Sequence, residues 1–197
     1  MEESCGIILL AAGASSRLGT PKQTLLYQQS TLLEHSIQAA LESVAEQVIV
    51  VLGAYAATVQ PAVKEKKLSI IVNGSWQEGM ASSIRFGLQY LLSMAPAARG
   101  ALFMVCDQPY ISAGLLNKLV TLQRQTGNAI VASQYAETTG IPAIFDKKLF
   151  PGLLQLKGDT GAKKLILQHQ DDMATVPFPL GDIDIDTAAD FKRLQEM

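Results

Sequence analysis

The sequence predicts an α/β fold: one doubly wound domain built on a mostly parallel sheet. Three observations predict it. Short runs of almost continuous apolar residues recur along the 197-residue chain, as strands buried on both faces require. Segments of helical period separate those runs. No Pro/Gly-rich linker and no shift of composition divides residues 1–197, so a single domain is expected.

The elements follow in order. Gly6–Ala11 (GIILLA) is the first buried strand. Thr31 and Glu34 stand at capping-box spacing and open a helix over TLLEHSIQAALESV. Val48–Gly53 is rich in β-branched residues and reads as the second strand, and Leu68–Asn73 as the third. MASSIRFGLQYLL places Ile84, Leu88, Leu91 and Leu92 on one side of a helix. Ala101–Asp107 is the fourth strand. Ser112 can cap a helix running to about Thr126. Ala129–Ser133 and Ile141–Phe145 read as further strands, TGAKKLILQHQ as a helix, ATVPF as a short strand and TAADFKRLQ as the last helix. In such folds ligands bind beyond the carboxyl ends of the strands, so functional residues should follow strands directly.

Composition narrows the function. The chain is 48% hydrophobic and 17% charged, as a globular protein is. A net charge of −2 gives no whole-molecule attraction to nucleic acid or to an anionic membrane, so neither is an expected partner. The apolar run Ile7–Leu10 is too short to span a bilayer and is preceded by Glu2 and Glu3, not by a basic region. Cys5 and Cys106 cannot build a disulfide framework and show no zinc spacing. Both are expected to be buried thiols in a cytoplasmic protein. Trp76 is expected in the core, and His35 and His169 in structural or exposed places.

Five segments carry polar groups where chemistry is expected. After the first strand, Gly13 and Gly19 let backbone N–H groups approach an anion, and Arg17 and Lys22 add charge. Neither GxxxxGK[ST] nor GxGxxG is present. Asp107 ends the fourth strand, at the same crevice edge, and suits Mg²⁺. Asp182, Asp184 and Asp186 alternate, so an extended chain puts them on one face; Asp186 also reads as a cap for the last helix. Gly79 precedes a helix whose first turn holds Ser82 and Ser83. Gly140 and Pro142 make a restricted turn, and Asp159 and Gly161 open a segment with Lys163 and Lys164. Taken singly, each has an ordinary counterpart: a Gly/Ser turn, a turn Asp, a solvated acidic stretch, an empty cap, a surface pair.

Taken together they carry a resemblance. LLAAGASSRLGTPK, NGSWQEGMASSI, CDQP, GIPAIF, GDTGAK and DIDTAADF occur in the order found in the nucleotidyltransferases that handle the molybdenum cofactor, and resemble most nearly the cytidylyltransferase branch. The resemblance implies a Rossmann-like fold of the nucleotide-diphospho-sugar transferase kind. It implies Mg²⁺-dependent transfer of CMP from CTP to the phosphate of molybdopterin, with release of pyrophosphate. Leu10, Ala11, Ala12 and Gly13 would cradle the nucleotide, with Gly79, Ser82 and Ser83 beside base and ribose. Arg17, Lys22 and Asp107 would form the catalytic set. Asp107 would hold the metal together with Asp184 or Asp186. Gly140, Pro142 and Asp159 would line the acceptor side, and a molybdenum hydroxylase would receive the product. Two departures stand out: DIDTAADF where the family commonly reads DIDTPEDL, and Lys163 where it often has Arg. Ala12 replaces a glycine of the guanylyl-transferring relatives. Its methyl should crowd the base site and favour a pyrimidine by about 1–3 kcal/mol. Another phosphorylated acceptor, with cytidylyl or guanylyl transfer, and a non-catalytic accessory role in cofactor insertion remain as alternatives.

Overall fold

The computed structural model describes residues 4–63 and 67–196 of the chain; Glu2 and Glu3 lie outside them. In order, the strands and helices are β1 (Cys5–Ala11), β2 (Leu26–Tyr27), β3 (Ser30–Thr31), α1 (Leu32–Leu41), β4 (Gln47–Leu52), α2 (Ala56–Val59), β5 (Ser69–Val72), α3 (Met80–Met94), β6 (Gly100–Val105), α4 (Ala113–Thr126), β7 (Ile130–Tyr135), β8 (Thr138–Asp146), α5 (Phe150–Leu154), α6 (Lys163–Gln168), β9 (Met173–Pro177) and α7 (Ala188–Glu196).

Seven strands form one sheet in the order β5-β4-β1-β6-β8-β7-β9. β1 runs parallel to both β4 and β6, β4 to β5, and β7 to β9. β8 alone is opposed, pairing antiparallel with β6 and β7. The stretch Ile141–Phe145 is thus the middle of a longer strand that returns against its neighbours. A hairpin with β7 makes that direction possible, since antiparallel partners need only a short turn.

Burial on both faces explains the continuous apolar runs. Ile7, Leu9 and Ala11 of β1 pack with Leu33 and Ile37 of α1 and with Leu115, Leu116 and Leu119 of α4. Ile8 and Leu10 point the other way, toward Ile84, Leu88 and Leu91 of α3 and Phe150, Leu153, Leu165 and Ile166 of α5 and α6. Cys5 and Cys106 are buried as expected. Among the described residues no helix is long and apolar enough to cross a membrane.

Three local features were not expected. The β2–β3 hairpin turns through Gln28 (φ 47°) and Gln29 (φ 74°), both left-handed. Such a turn is normally marked by Asn-Gly or Asp-Gly, and this one carries neither. His35 secures it, its Nε2 lying 2.5 Å from the Tyr27 carbonyl oxygen. The second feature is α5, which Pro151 opens from its first turn. The third is at α7. Thr187 and Asp190, not Asp186, cap this helix: Thr187 Oγ1 accepts from the Asp190 amide (3.2 Å) and Asp190 Oδ2 accepts from the Thr187 amide (2.8 Å). Asp186 is left free for other work.

From β1 the chain steps outward to β4 and β5, then returns to β6 on the far side of β1. The switch point therefore lies between β1 and β6. Leu10 stands opposite Val105, so Ala12 and Asp107 leave adjacent strands at the same level. That is where the fold leaves a crevice.

Candidate active site

The crevice is a cleft of about 510 Å³. Its wall includes the loop from Leu10 to Ala14, the side chains of Arg17, Lys22 and Gln23, the Trp76–Met80 turn, Ser83, Asp107, Asp159 and Asp186.

The loop after β1 is pinned from behind. The Ala12 carbonyl accepts from the Ala54 amide (3.1 Å), and the Tyr55 hydroxyl donates to the Ala14 carbonyl (2.9 Å). Ala12 backs onto Gly53, where a Cβ would meet its carbonyl oxygen at 2.6 Å and its methyl at 2.8 Å. Only a residue without a side chain permits that approach. Further on, Ser15 adopts φ 49°, its carbonyl accepts from the Leu18 and Gly19 amides, and its hydroxyl accepts from the Lys22 amide (3.1 Å). Pro21 then leads into a short 3₁₀ turn, Lys22–Thr24. That turn sends two side chains to the site. Gln23 is buried, and its Nε2 donates to the carbonyls of Ala11 (2.8 Å) and Gly13 (3.3 Å). Lys22 enters the cleft.

Lys22 is the hub of the charges. Its ammonium donates to Asp107 Oδ2 and to Asp186 Oδ1, each at 2.8 Å. Arg17 donates to the other oxygen of Asp186 at 2.7 Å. Burial alone would lower the Lys22 ammonium, but Asp107 and Asp186 outweigh it and hold it above the ordinary lysine range. The same hydrogen bond from Lys22 holds Asp186 below the usual carboxylate range. Asp184 behaves in the opposite way. The protein crowding it, and then the charges of Asp107 and Asp186, push its carboxyl up to about 6.

The late acidic segment is fastened beneath Asp107. The Ile185 amide donates to the Asp107 carbonyl (2.9 Å), and Gln108 Nε2 donates to the Gly181 carbonyl (2.8 Å). Ile185 is fully buried against Leu32 and Leu194, so Asp184 and Asp186 flank an apolar anchor. Cys106, beside Asp107, is buried, and burial first, then the Asp107 charge, pushes its thiol up to about 12. It is no nucleophile at neutral pH.

The opposite wall meets the late glycine segment. Gly79 has φ +96°, and a Cβ there would lie 2.5 Å from both Asp159 Oδ1 and the Gly158 carbonyl oxygen. The Gly158 carbonyl also accepts from the Ala81 amide (3.1 Å). Gly79 and Asp159, read separately in the sequence, thus lie against each other.

Of the expected site residues, Leu10, Ala11, Ala12, Gly13, Arg17, Lys22, Gly79, Ser83, Asp107, Asp159 and Asp186 line the cleft. Ser82 lies outside the lining, its hydroxyl donating to the carbonyls of Ser75 (3.0 Å) and Gly79 (2.9 Å). Asp184 lies beside the lining. Gly140 and Pro142 sit within β8 and do not line this cleft; Gly140 packs on the Tyr135 hydroxyl and the Pro142 carbonyl accepts from Ser133 (2.7 Å). Trp76 corrects the expectation of a core residue: it is half-buried and forms part of the cleft wall.

Residues 7–173 match the family described as the MobA-like NTP transferase domain. The chain belongs to this family. Relatives of the transferase include the nicotine blue oxidoreductase of Paenarthrobacter nicotinovorans, 32% identical over 82% of this chain and 80% of that one. A probable molybdenum cofactor guanylyltransferase of Flavobacterium johnsoniae is 26% identical over 76% and 72% of the two chains. Among solved structures, one from Mycobacterium tuberculosis superposes with a TM-score of 0.88, at 30% identity and complete coverage of both chains. A manganese complex from the same organism superposes with 0.82, at 27% identity over 98% of each chain.

In the transferase, among the described residues, no three acidic, His or Cys side chains converge into a ready-made metal cage. Asp107 and Asp186 nevertheless reach one common cation, the Lys22 ammonium. Two carboxylates facing the glycine loop after β1 fit Mg²⁺, because that ion keeps its remaining positions for water and substrate oxygens. Gln23 carried no signal in the sequence, since a glutamine in a turn has no characteristic spacing.

Proposed function

We propose that the transferase moves CMP from CTP to the phosphate of molybdopterin, in the cytoplasm, with Mg²⁺ held by Asp107 and Asp186. The observation that carries this reading is the Lys22 ammonium seated between two carboxylates at the mouth of a glycine loop. Their shared cation supports Asp186, rather than Asp184, as the second metal carboxylate. Ala12 and Trp76 both lie against Gly53 and both wall the cleft, which supports a small base.

The chemistry asks little of the protein beyond positioning and charge. An oxygen of the acceptor phosphate attacks the α-phosphorus in line. A new P–O bond forms, the bond to the bridging oxygen breaks, and its electron pair leaves with pyrophosphate. No general base is needed, because a phosphate monoester is already anionic at neutral pH. Arg17 and Lys22 hold the β- and γ-phosphates and stabilise the leaving group. Backbone amides after β1 face the triphosphate, with Gln23 keeping the Ala11 and Gly13 carbonyls turned away from it. Mg²⁺, when bound, neutralises charge on the phosphate oxygens. Asp159, against Gly79, is assigned to the acceptor side, and Gly140 and Pro142 to the backbone that shapes it.

The name of the 32%-identical relative favours a second reading, an oxidoreductase. One assay separates the two. CTP, GTP, UTP and ATP are offered with Mg²⁺ and molybdopterin, and pyrophosphate release is measured beside oxidation of NADH or NADPH. The expected result is pyrophosphate with CTP and molybdopterin only. Pyrophosphate with a sugar phosphate instead would replace the acceptor. Nicotinamide oxidation without pyrophosphate would replace the reaction.

A further inference from the structure

The nucleotide site just proposed has a buried amide behind it whose hydrogen bonds dictate what that site can read. Asn73 follows β5 directly and is 3% exposed. Its amide donates to the Leu52 carbonyl (2.8 Å), which ties it to the end of β4. Its Oδ1 accepts from the Ser75 amide (3.0 Å). A backbone N–H can only donate, so that contact identifies the oxygen side of the Asn73 amide. The two hydrogens of Nδ2 then go to Ser82 Oγ (2.8 Å) and Ser83 Oγ (3.1 Å).

The two serines differ in what remains. Ser82 spends its own hydrogen on the Ser75 and Gly79 carbonyls. Ser83 accepts from Asn73, and its hydrogen has no acceptor among the hydrogen bonds of the described residues. Ser83 is 4% exposed and lines the same cleft as Gly79 and Trp76. A buried hydroxyl that lacks an acceptor is costly, so a ligand should supply one.

Resting on the nucleotide reading, we propose that Asn73 is a positioning residue that fixes the Ser83 hydroxyl as a donor toward the cleft, so that the nucleotide must present an acceptor there, namely a carbonyl oxygen of its base. Gly79, four residues before Ser83, has the Asp159 carboxylate against it, and a negative charge there suits a neutral base better than a phosphate. Cytosine has one such carbonyl. A base turning an N–H to this point meets another donor and is rejected.

Trp76, the single tryptophan, reports binding by its fluorescence. CTP with Mg²⁺ is titrated into the wild type, Ser83→Ala, Asn73→Asp and the double variant. Aspartate accepts from both serines and turns the Ser83 hydrogen away. Each single variant is expected to weaken CTP about tenfold, one neutral hydrogen bond. The double variant should bind no more weakly than Ser83→Ala, because Asn73 acts through Ser83. Should Asn73→Asp fail to fold, 2-thiocytidine triphosphate, a poorer acceptor, carries the test: it should bind several-fold more weakly than CTP to the wild type and equally to Ser83→Ala. Additive effects in the double variant, or equal loss with the thio-nucleotide in both proteins, would overturn the assignment. Failure of every nucleoside triphosphate to bind the wild type would instead remove the nucleotide reading beneath it.

Discussion

Asp107→Asn is expected to lower turnover about a thousandfold while the protein unfolds at nearly its original temperature. The two halves of that result come from different features. Asparagine keeps the shape of the side chain and an oxygen that accepts from Lys22, which also retains Asp186. Nothing in the core touches the change, since Asp107 stands just beyond β6 with part of its side chain in solvent. Catalysis loses a formal charge at the point assigned to Mg²⁺, and removal of one such electrostatic contact typically costs two to three orders of magnitude in rate. Steady-state turnover at saturating CTP, with thermal unfolding of the same samples, checks both halves. Normal turnover with Mg²⁺ would remove Asp107 from the metal assignment.

Lys22→Met should weaken nucleotide binding about a hundredfold, a loss in the range found when one partner of a buried charge pair is truncated. Methionine preserves the aliphatic stem, so the effect belongs to the ammonium. Arginine is not expected to restore it, because a planar guanidinium fork does not take the place of a compact point charge. The free protein also changes. Asp107 and Asp186 lose their shared cation, so divalent ions should bind the nucleotide-free variant more tightly than the wild type. A pH effect follows with a definite sign. Asp186 sits below its ordinary pKa, first because of the bond from Lys22. Its contribution to stability is present above about pH 4 and is lost as pH falls through its depressed folded value. In Lys22→Met that acid-sensitive part shrinks. Nucleotide titration, Mn²⁺ titration and unfolding at two pH values measure the three effects.

The parts of the fold that were legible share one cause. β1, β4 and β6 are buried on both faces, so their apolar runs are unbroken, and the residues that leave them fall at the sheet's switch point. Ala12, Gly13 and Asp107 could be placed because they sit one or two positions past such a run. α1 was legible because Thr31 and Glu34 form a capping box within four residues of sequence. What stayed hidden depends on contacts that exist only after folding. The reversal of β8 follows from its hairpin, and the turn before β3 uses glutamines that carry no turn signature. Trp76 looked like core material because its size is apolar, but the short turn after β5 sets it at the cleft wall, against Gly53. Asp186 read both as a metal carboxylate and as a helix cap, and only the folded chain gives the cap to Thr187 and Asp190. Gln23 and Asn73 act through hydrogen bonds to backbone carbonyls and serine hydroxyls brought together in the folded chain.

All of this turns on Lys22 and Asp107 as two sides of one polyphosphate site. A crystal structure of the protein with CTP and Mg²⁺ tests that most directly. The account predicts the triphosphate between the two side chains, with the Lys22–Asp107 ion pair opened and Lys22 on phosphate oxygen. A nucleotide bound elsewhere, with that 2.8 Å ion pair still closed, would contradict it.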